Sequence, residues 1–408
     1  MKIIYTIFFI FSGLYTFAQS SASLYSAYGI GNIYSPAVGI LDGLGGAGIG
    51  LRSPHFVNTV NPAANVFMQA PATMMLDAGL YTEAAYARNN EARSLQGGGG
   101  LSHLVLWLQP NKYWGTTLGL MPFSEVNYNI KADRYNEILS ANYDVTYQGS
   151  GGLNRLFWSN AFQPLKNVSV GVNLSFLFGS IERAENFITN ADLDAFSTIT
   201  KTNFADVLVD LGLQYGFRIH GNQLVLGATF QPGSKVASAE NSELRRANGE
   251  VLTAETQSDD IYQLPLRAGL GISWNAKRLL LSSDITFEQW STTQLNTDND
   301  LHNTVKCALG AEWSLAERSY LFYQKPLLLR TGFFIQNHHQ TVEGNTFPLW
   351  GFSVGASLPI RRKLHHLSMN YSFRQRGTKN DDLLLESIHR FTLNINLRDI
   401  WFQKKRFN

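Results

Sequence analysis

One glycine motif in the sequence has the types and spacing that could bind a cofactor. Gly43, Gly45 and Gly48 match the G-x-G-x-x-G spacing that holds a dinucleotide. That fingerprint works between a strand and a helix of a βαβ unit, where the helix N-terminus meets the pyrophosphate. The surrounding segment is rich in small residues and has no long periodic pattern. We therefore predict a compact glycine-rich loop here, and no cofactor.

Two adjacent histidine pairs, His338-His339 and His365-His366, are the next candidates for chemistry. Neighbouring side chains on a strand point to opposite faces, so neither pair would hold one metal ion jointly. Nucleophilic catalysis needs a nucleophile, a base and an orienting group at one site, and no such group is evident in the sequence. We predict that the chain is not an enzyme and has no catalytic or metal-binding residues.

Charged residues at alternate strand positions form the third group. In the strand registers argued below, they share the face opposite the large apolar side chains. They are Asp210, Arg267, Asp284, Glu288, Lys306, Glu312, Arg330, Arg374 and Arg398. Because burial of an unpaired charge is costly, inward-pointing groups of both signs would pair with one another or with a neighbouring segment. They form either a selective polar lining or an ion-paired structural interior, and the second interpretation is favoured.

The elements that would position these charges have a two-residue period. Between residues 168 and 178 apolar side chains alternate with small or polar ones, as on a strand with one apolar face. The same alternation recurs at 264–274, 350–358 and 391–397. A tilted strand needs about 9 to 11 residues to cross a bilayer. We predict an all-β fold, an antiparallel transmembrane β-barrel of about 14 strands.

Composition excludes several other classes of protein. Only 16% of the 408 residues are charged, against about 25% in ordinary soluble domains. The 12% aromatic content argues against a disordered chain, and the single cysteine against a disulfide scaffold. No apolar run after the first 18 residues is long enough for a membrane helix. With 33 basic and 31 acidic residues, the chain offers no basic surface for nucleic acid.

The N-terminus predicts export. Lys2 provides a positive start, residues 3–14 form a short apolar core, and small side chains end at Ala18. This is the pattern of a cleavable signal peptide, residues 1–18. Short connectors, such as 109–111 and 164–166, alternate with longer polar ones at 131–141, 241–252, 292–302 and 379–387. Short turns on one side and long loops on the other are typical of bacterial outer-membrane barrels, which predicts that location.

The segment before the first strand resembles a known family. Gly45 and Gly46, followed by Asn61-Pro62-Ala63, resemble the N-terminal hatch of FadL-type hydrophobic-compound transporters. The resemblance implies a 14-strand barrel (72–408) plugged from the periplasmic side by a hatch (19–71). It also implies a break in strand three, where Gly119, Pro122 and Phe123 lie. Proline cannot donate to a ladder, so Pro122 suits an interrupted edge, or it lies harmlessly beyond the membrane.

Two functions follow from this resemblance. The first is passive uptake of small hydrophobic or amphipathic, fatty-acid-like molecules, with movement of the hatch and lateral exit at strand three. The second is a non-transporting barrel subunit of an outer-membrane secretion or assembly complex, because a related branch of the family is the shuttle of type IX secretion. The expected partners are outer-membrane lipids, with a hydrophobic ligand in the first case and a protein complex in the second.

Overall fold

The computed structural model describes most of the chain after the N-terminal segment. The described residues are 23–68, 73–89, 93–136, 141–189, 196–246, 248–258, 262–293, 301–315, 327–340, 347–360, 365–378 and 384–399. The predicted signal peptide, 1–18, and the first four residues of the predicted hatch lie outside these ranges. Within them, no helix has the length and apolar character needed to cross a membrane.

Nearly all regular structure in the described residues is β-strand. The strands are β1 Asn32–Ile33, β2 Met74–Arg88, β3 Arg93–Asn111, β4 Trp114–Asn136, β5 Ala141–Leu165, β6 Val168–Thr189, β7 Phe196–Ile219, β8 Asn222–Gln231, β9 Ser234–Val236, β10 Ser238–Arg246, β11 Val251–Ser258, β12 Tyr262–Leu264, β13 Leu266–Asn275, β14 Leu279–Gln289, β15 Thr304–Ser314, β16 Leu328–Asn337, β17 Pro348–Ile360, β18 His365–Arg376 and β19 Leu385–Asp399. Short 3-10 helices lie at Leu24–Ala27, Gly39–Leu44, Pro62–Val66 and Trp290–Thr292.

The strands close into an antiparallel barrel of 14 strands, which confirms the predicted fold. Strands β2 to β7 and β14 to β19 each form one barrel strand. The seventh is made of β8, β9 and β10, and the eighth of β11, β12 and β13, because both are interrupted in the middle. Pairing of β19 with β2, from Leu385↔Arg88 to Asp399↔Met74, closes the sheet. Closure leaves no strand edge whose backbone N–H and C=O groups would face lipid without a hydrogen-bond partner.

The alternation in the sequence becomes the two faces of the wall. Along β6 the exposed side chains are apolar, namely Val170, Val172, Leu174 and Phe176. The buried side chains between them are small or polar, namely Ser169, Asn173 and Ser175. Other strands repeat this pattern, with exposed Leu270, Leu309 and Phe333. A barrel with apolar side chains outside suits a lipid environment, and this explains how a chain poor in charge can have so apolar an exterior.

Four consecutive strands are much longer than the rest. Strands β4 to β7 have 22 to 25 residues, whereas β13 to β16 have 10 or 11. Beyond Phe178 the outer face of β6 turns from apolar to polar, with Ser180, Glu182 and Asn186. Because only about 9 to 11 residues are needed to cross a bilayer, the long strands continue past the apolar belt.

We call this continuation the outer sheet. It consists of the upper parts of β4 to β7, followed by β10 and β11. The sequence prediction was wrong here, because it placed loops at 131–141 and 241–252. Strand β4 runs to Asn136, and β10 and β11 form a hairpin. Water reaches both faces of the sheet at β11, where residues 251–257 are all exposed, so this part of the chain lacks the apolar alternation by which membrane strands are recognised.

Between the belt and the outer sheet, β9 and β12 leave the wall and pair with each other. Their buried side chains are Val236, Tyr262 and Leu264. They join a hydrophobic cluster that includes Ile30 from the N-terminal segment and Trp290. The sequence alternation ran through this region as two continuous strands, so the inward turn was not predicted.

Candidate functional site: the plug and the interrupted wall

Residues 23–68 precede the barrel and lie against its inward-facing side chains, and we call them the plug. The backbone N–H groups of Gly48 and Ile49 donate to Asp284 Oδ2 at 2.6 and 2.8 Å. The N–H of Gly45 donates to Ser353 Oγ at 3.0 Å. Hydrogen bonds to a charged acceptor are the stronger kind, so Asp284 is the firmest of these attachments.

The glycine motif is part of the plug. The 3-10 helix Gly39–Leu44 ends at Gly45, which adopts the left-handed conformation with φ 67°. Gly46 follows at φ 84°, and its N–H donates to Leu41 O at 3.0 Å. A 3-10 turn ending inside the motif is not the strand–turn–helix that a dinucleotide needs. Here the glycines allow a tight reversal of the chain.

The Asn61-Pro62-Ala63 motif begins the short 3-10 helix Pro62–Val66. Asn61 Oδ1 caps it by accepting from the N–H of Ala63 at 3.0 Å, and Pro62 occupies the first position, which needs no donor. Asn61 Nδ2 donates to the carbonyl of Ile49 at 2.7 Å. The side chain is 0% exposed. Asn61 therefore joins two parts of the plug while starting the helix.

The plug packs against the wall where the wall has glycines. A methyl group at Gly332 would overlap the backbone of Gly45, and one at Gly227 would overlap the carbonyl of Ile49. Any larger side chain would push the plug away. Glycines on the inner face thus provide space for the plug backbone, a role that the spacing of glycines in the sequence did not predict.

Two asparagines of the plug, Asn58 and Asn65, are joined by a pair of hydrogen bonds that the sequence did not predict. The N–H of Asn58 donates to Asn65 Oδ1 at 2.8 Å, and Asn65 Nδ2 donates to Asn58 O at 2.9 Å. Trp107 of the wall donates its indole N–H to Asn65 O at 2.8 Å. Isolated asparagines have no spacing that separates such a role from an ordinary turn.

Arg52 is the plug's buried cation. Its guanidinium lies 3.6 Å from the centre of the Phe67 ring and donates to Gln214 Oε1 at 3.0 Å. It also donates to the carbonyl of Asn167, in the short turn between β5 and β6. Burial lowers the pKa of Arg52 to about 10, which leaves it charged at neutral pH. Arg52 fastens the plug to the end of the barrel that has the short turns.

The wall is interrupted beside the third barrel strand, β4. Pairing between β3 and β4 stops at Leu104↔Leu120, although both strands continue. Pro122 follows two residues later, and the β4–β5 register shifts around Phe123. Gly119 still lies within the β3–β4 ladder and packs closely on the ring of Phe157. The three residues expected to mark a break therefore lie at the end of this ladder.

The plug covers part of the edge that β3 leaves. Strand β1 pairs with β4 as Asn32↔Glu125 and Ile33↔Ser124, and the N–H of Tyr34 donates to Phe123 O at 2.9 Å. The Tyr34 hydroxyl donates to Glu125. Burial raises the pKa of Tyr34 well above its ordinary value, so this hydroxyl keeps its proton. Gly31, with φ 86°, lies against the carbonyl of Glu125, where a side chain would not fit.

Tyr34 also reaches the opposite side of the interruption. Its hydroxyl lies 3.2 Å from that of Tyr81 on β2. The Arg390 guanidinium lies over both rings, at 4.9 and 4.3 Å from their centres, and donates to Glu83 at 2.6 Å. This cluster joins the β2–β3 side to the β4 side through the plug, so separating them breaks several contacts together.

A cavity of about 240 Å³ lies between the plug and the wall. Its lining contains acidic and basic side chains in equal number, which are Asp42, Glu83, Glu125, Asp284, Glu288, Arg267, Lys306, Arg374, Arg376 and Arg390. Aromatic lining comes from Tyr25, Tyr34, Trp290 and Phe334, together with His338 and His339. Specific ligand pockets are usually more apolar than this. The chemistry of the cavity suits a polar or amphipathic molecule better than a purely apolar one.

The nine predicted inward charges lie on strands, and none of them is fully exposed. Four of them take part in three ion pairs: Glu312 with Arg330 at 2.6 Å, Arg374 with Glu83 at 3.4 Å, and Asp210 with Arg155 at 3.7 Å.

The other predicted charges have different neighbours. Glu288 accepts from the indole of Trp290 at 2.9 Å, and Arg398 donates to Asn396 at 3.1 Å. Lys306 lies 4.9 Å from the centre of the Phe334 ring. Arg267 lies opposite Glu288 in the β13–β14 ladder and lines the cavity. Neither Arg267 nor Lys306 has an ion pair within 4.0 Å in the part of the chain described here.

The expected orientation of His338 and His339 was wrong. The two rings stack at 4.6 Å instead of pointing to opposite faces, because β16 ends at Asn337 and the strand geometry stops there. Trp290 stacks on His339 at 4.4 Å, and Phe347 on His338 at 4.6 Å. No group of three metal-ligating side chains occurs among the described residues.

Burial makes these two histidines neutral. It lowers the pKa of His338 well below its ordinary value and that of His339 to about 4, and the positive charge of Arg376 acts in the same direction. The stack lies beyond the end of β16 and lines the cavity. It contacts the plug through Tyr25, whose ring lies 5.9 Å from that of His338 and 5.0 Å from that of Phe347.

Comparison with solved structures finds barrels of one fold. The CymD monoaromatic hydrocarbon channel matches with a TM-score of 0.58 at 13% identity, over 92% of this chain and 100% of that one. The Pseudomonas putida toluene transporter TodX matches at 0.59 and 13%, over 91% and 100%. A Pseudomonas aeruginosa FadL homologue gives 0.59 and 13%, over 91% and 99%. These likenesses confirm the FadL-type fold.

Sequence comparison adds one finding about the whole chain. No curated protein matches it. A family model described as BamG matches residues 1–408.

Proposed function

Since the chain belongs to the BamG family and has the FadL-type fold, we propose that it is an outer-membrane barrel through which small amphipathic molecules enter passively. The observation that carries this proposal is the interruption of the wall. The β3–β4 ladder stops at Leu104↔Leu120, and the plug strand β1 occupies part of the vacated edge of β4. Solved neighbours of this fold are described as hydrocarbon and toluene channels.

The proposed route begins in the cavity. Arg267 and Lys306 face it as cations that have no ion pair within 4.0 Å among the described residues, and Trp290 and Phe334 provide aromatic surface beside them. An amphipathic molecule with an acidic head and a short apolar body has the matching chemistry. This extends the sequence prediction, since fatty-acid-like molecules belong to that class.

The proposed exit is lateral. If β1 separates from β4, the edge from Ser124 to Glu125 is exposed beside Pro122 and Phe123. The contacts of Tyr34 with Tyr81, Glu125 and Arg390 oppose this separation, so ligand binding in the cavity would have to weaken these contacts. Hatch movement in this proposal is a displacement of residues 32–34, and the attachments of Asn61 and Asp284 persist.

Uptake by liposomes tests the proposal. The full-length protein is reconstituted and supplied with a panel of fatty acids, alkyl phosphates and neutral apolar compounds. We expect faster entry of the acidic amphiphiles than with empty liposomes. Arg267→Gln with Lys306→Gln should reduce that entry and leave neutral compounds unchanged. No difference from empty liposomes across the panel would rule the channel out.

A second function has its own supporting observation. The plug is attached by Asp284, Ser353 and Gln214, which come from distant strands, and the cavity is lined by charges of both signs. Such an interior suits a closed barrel that serves as a subunit of an outer-membrane assembly complex. Gentle extraction of the native protein followed by mass spectrometry distinguishes the two, since a subunit leaves the membrane with a stoichiometric partner and a channel leaves alone.

A further inference from the structure

An apolar groove lies on the outer face of the barrel, in the wall formed by β8 and by β13 to β17. Its volume is about 610 Å³, which is within the usual range for ligand sites. Its large side chains include Trp274, Leu281, Leu309 and Phe333, and none of the side chains described at the groove is charged. Strands β5 to β8 separate this wall from β4, so the groove is remote from the interruption.

Small side chains at outward positions create the groove. Directly paired residues of neighbouring strands point to the same face of a sheet. Ala311 is paired with Leu281 on one side and with Thr331 on the other. Ser283 is paired with Leu309. Leu281 and Leu309 are 40% and 56% exposed, so the three small residues leave a depression between large apolar side chains that face lipid.

The floor of the groove is backbone that carries the plug on its other face. Gly310 and Gly332 are paired and belong to the groove lining. On the inner side, a methyl group at Gly310 would lie 2.7 Å from the carbonyl oxygen of Leu44, and one at Gly332 would overlap Gly45. The plug therefore fills the inner side of this wall, and an occupant of the groove must come from the membrane.

Two basic side chains lie at the short-turn end of the groove. Lys277 and Arg278 form the turn between β13 and β14, and both are exposed. Trp274 and Leu281, which line the groove, are paired with each other just before and just after this turn. Basic side chains at a membrane surface attract anionic lipid headgroups. Nearby Trp313 is 56% exposed, as is usual for an aromatic ring at the interface.

We propose that the groove binds one acidic phospholipid from the leaflet on the short-turn side, which in bacterial outer-membrane barrels is the periplasmic side. An acyl chain lies in the groove, and the phosphate lies beside Lys277 and Arg278. A soluble anion would leave the groove empty, and a zwitterionic lipid would bring its own cation next to the two basic side chains. This inference goes beyond the passage of small molecules and does not depend on it.

Retention of lipid by the purified protein tests the site. The full-length protein in mild detergent is titrated with phosphatidylglycerol or phosphatidylcholine, and bound lipid is counted by native mass spectrometry. Ala311→Phe fills the groove, and Lys277→Gln with Arg278→Gln removes the charges. The matched controls are Ala205→Phe, at an exposed position on β7, and Lys112→Gln with Lys166→Gln, which removes exposed charges from two other short turns.

A single site predicts a specific result. The native protein should retain one phosphatidylglycerol and bind phosphatidylcholine at least fivefold more weakly. Both test variants should lose at least fivefold in phosphatidylglycerol retention, and both controls should match the native protein. A phosphatidylglycerol with a photoreactive acyl chain should form adducts within residues 272–283 or 309–333.

Three outcomes would overturn the proposal. The first is equal retention of the two lipids by the native protein, and the second is an equal loss of lipid in the test and control variants. The third is a dimer that Ala311→Phe dissociates while lipid retention stays unchanged, because the groove would then be a contact between two copies of the chain.

Discussion

The hydroxyl oxygen of Tyr34 in the plug lies 3.2 Å from that of Tyr81 in the wall, and the same Tyr34 hydroxyl donates to Glu125 on β4. One phenol thus connects the two sides of a wall whose own ladder has ended. Tyr34 carries no sequence signal for this role, because a tyrosine in a glycine-rich segment has no distinguishing spacing.

Removal of the Tyr34 hydroxyl should loosen the interruption. Tyr34→Phe keeps the ring under Arg390 and loses the hydrogen bonds to Tyr81 and Glu125. Loss of bonds to a charged acceptor costs about 1 to 3 kcal/mol, so we expect amphiphile entry into liposomes to rise several-fold. Tyr113→Phe, at an exposed turn, is the matched control. Unchanged entry in Tyr34→Phe would remove Tyr34 from the proposed gate.

Asp284 should set how firmly the plug is held. Asp284→Asn keeps the size of the side chain but gives up the charge that accepts from the Gly48 and Ile49 N–H groups. We expect a loss of about 1 to 3 kcal/mol in plug attachment. Limited proteolysis should then release plug fragments sooner than from the native protein. Glu243→Gln in the outer sheet is the control, and equal digestion rates in the two variants would contradict the assignment.

The absence of a side chain at Gly332 should be essential for the packing of the plug against the wall. Gly332→Ala places a methyl group against the backbone of Gly45, and we expect a displaced plug with a lower unfolding temperature in detergent. The control is Gly97→Ala, where a methyl group would find its nearest neighbour at 3.8 Å. Equal unfolding temperatures for the two variants would show that the plug tolerates a shift at this position.

The histidine stack predicts a dependence of stability on pH. Burial depresses the pKa of His339 to about 4 and that of His338 well below 6.5, so the folded protein keeps both neutral. As pH falls below about 6.5, the unfolded state takes up protons that the folded state does not, and the free energy of unfolding decreases. For His339 this decrease ends near pH 4, where the folded form also becomes protonated.

The measurement is thermal unfolding in detergent between pH 7.5 and 4. His339→Phe keeps a ring between Trp290 and His338 and removes one titrating group, so its unfolding temperature should fall less over this range. His220→Phe, at the turn between β7 and β8, controls for loss of a histidine that does not belong to the stack. Parallel pH profiles for the native protein and His339→Phe would contradict the predicted role of burial.

The barrel was predictable because membrane strands repeat one signal many times. Alternation at 168–178 or 391–397 follows from lipid on one face and packed polar groups on the other. The outer sheet lacks this contrast, so the sequence pattern predicts loops at 131–136 and 241–246, where the structure has strands. The inward turn of β9 and β12 depends on tertiary contacts with Trp290, which a local pattern does not contain.

The candidate site was predictable only where residue chemistry is restrictive. Proline at position 122 suits an interrupted ladder because it lacks a donor. Asn61-Pro62-Ala63 was singled out only by its resemblance to a hatch, and the helix that it begins was not predicted. The inward charges followed from strand register. Their partners did not, because Arg155 and Glu83 come from strands distant in sequence, and neither did the contacts of Tyr34 and Arg52, which depend on how the plug sits.

The pairing of β2 with β19 has a consequence for how the molecule is assembled. This seam joins the first and last barrel strands, so it can form only when the whole chain is present. The plug precedes both strands, yet its hydrogen bonds to Asp284 and Ser353 join it to the second half of the chain. The seam and these attachments of the plug therefore share one requirement, which is that strands from the second half of the chain are present.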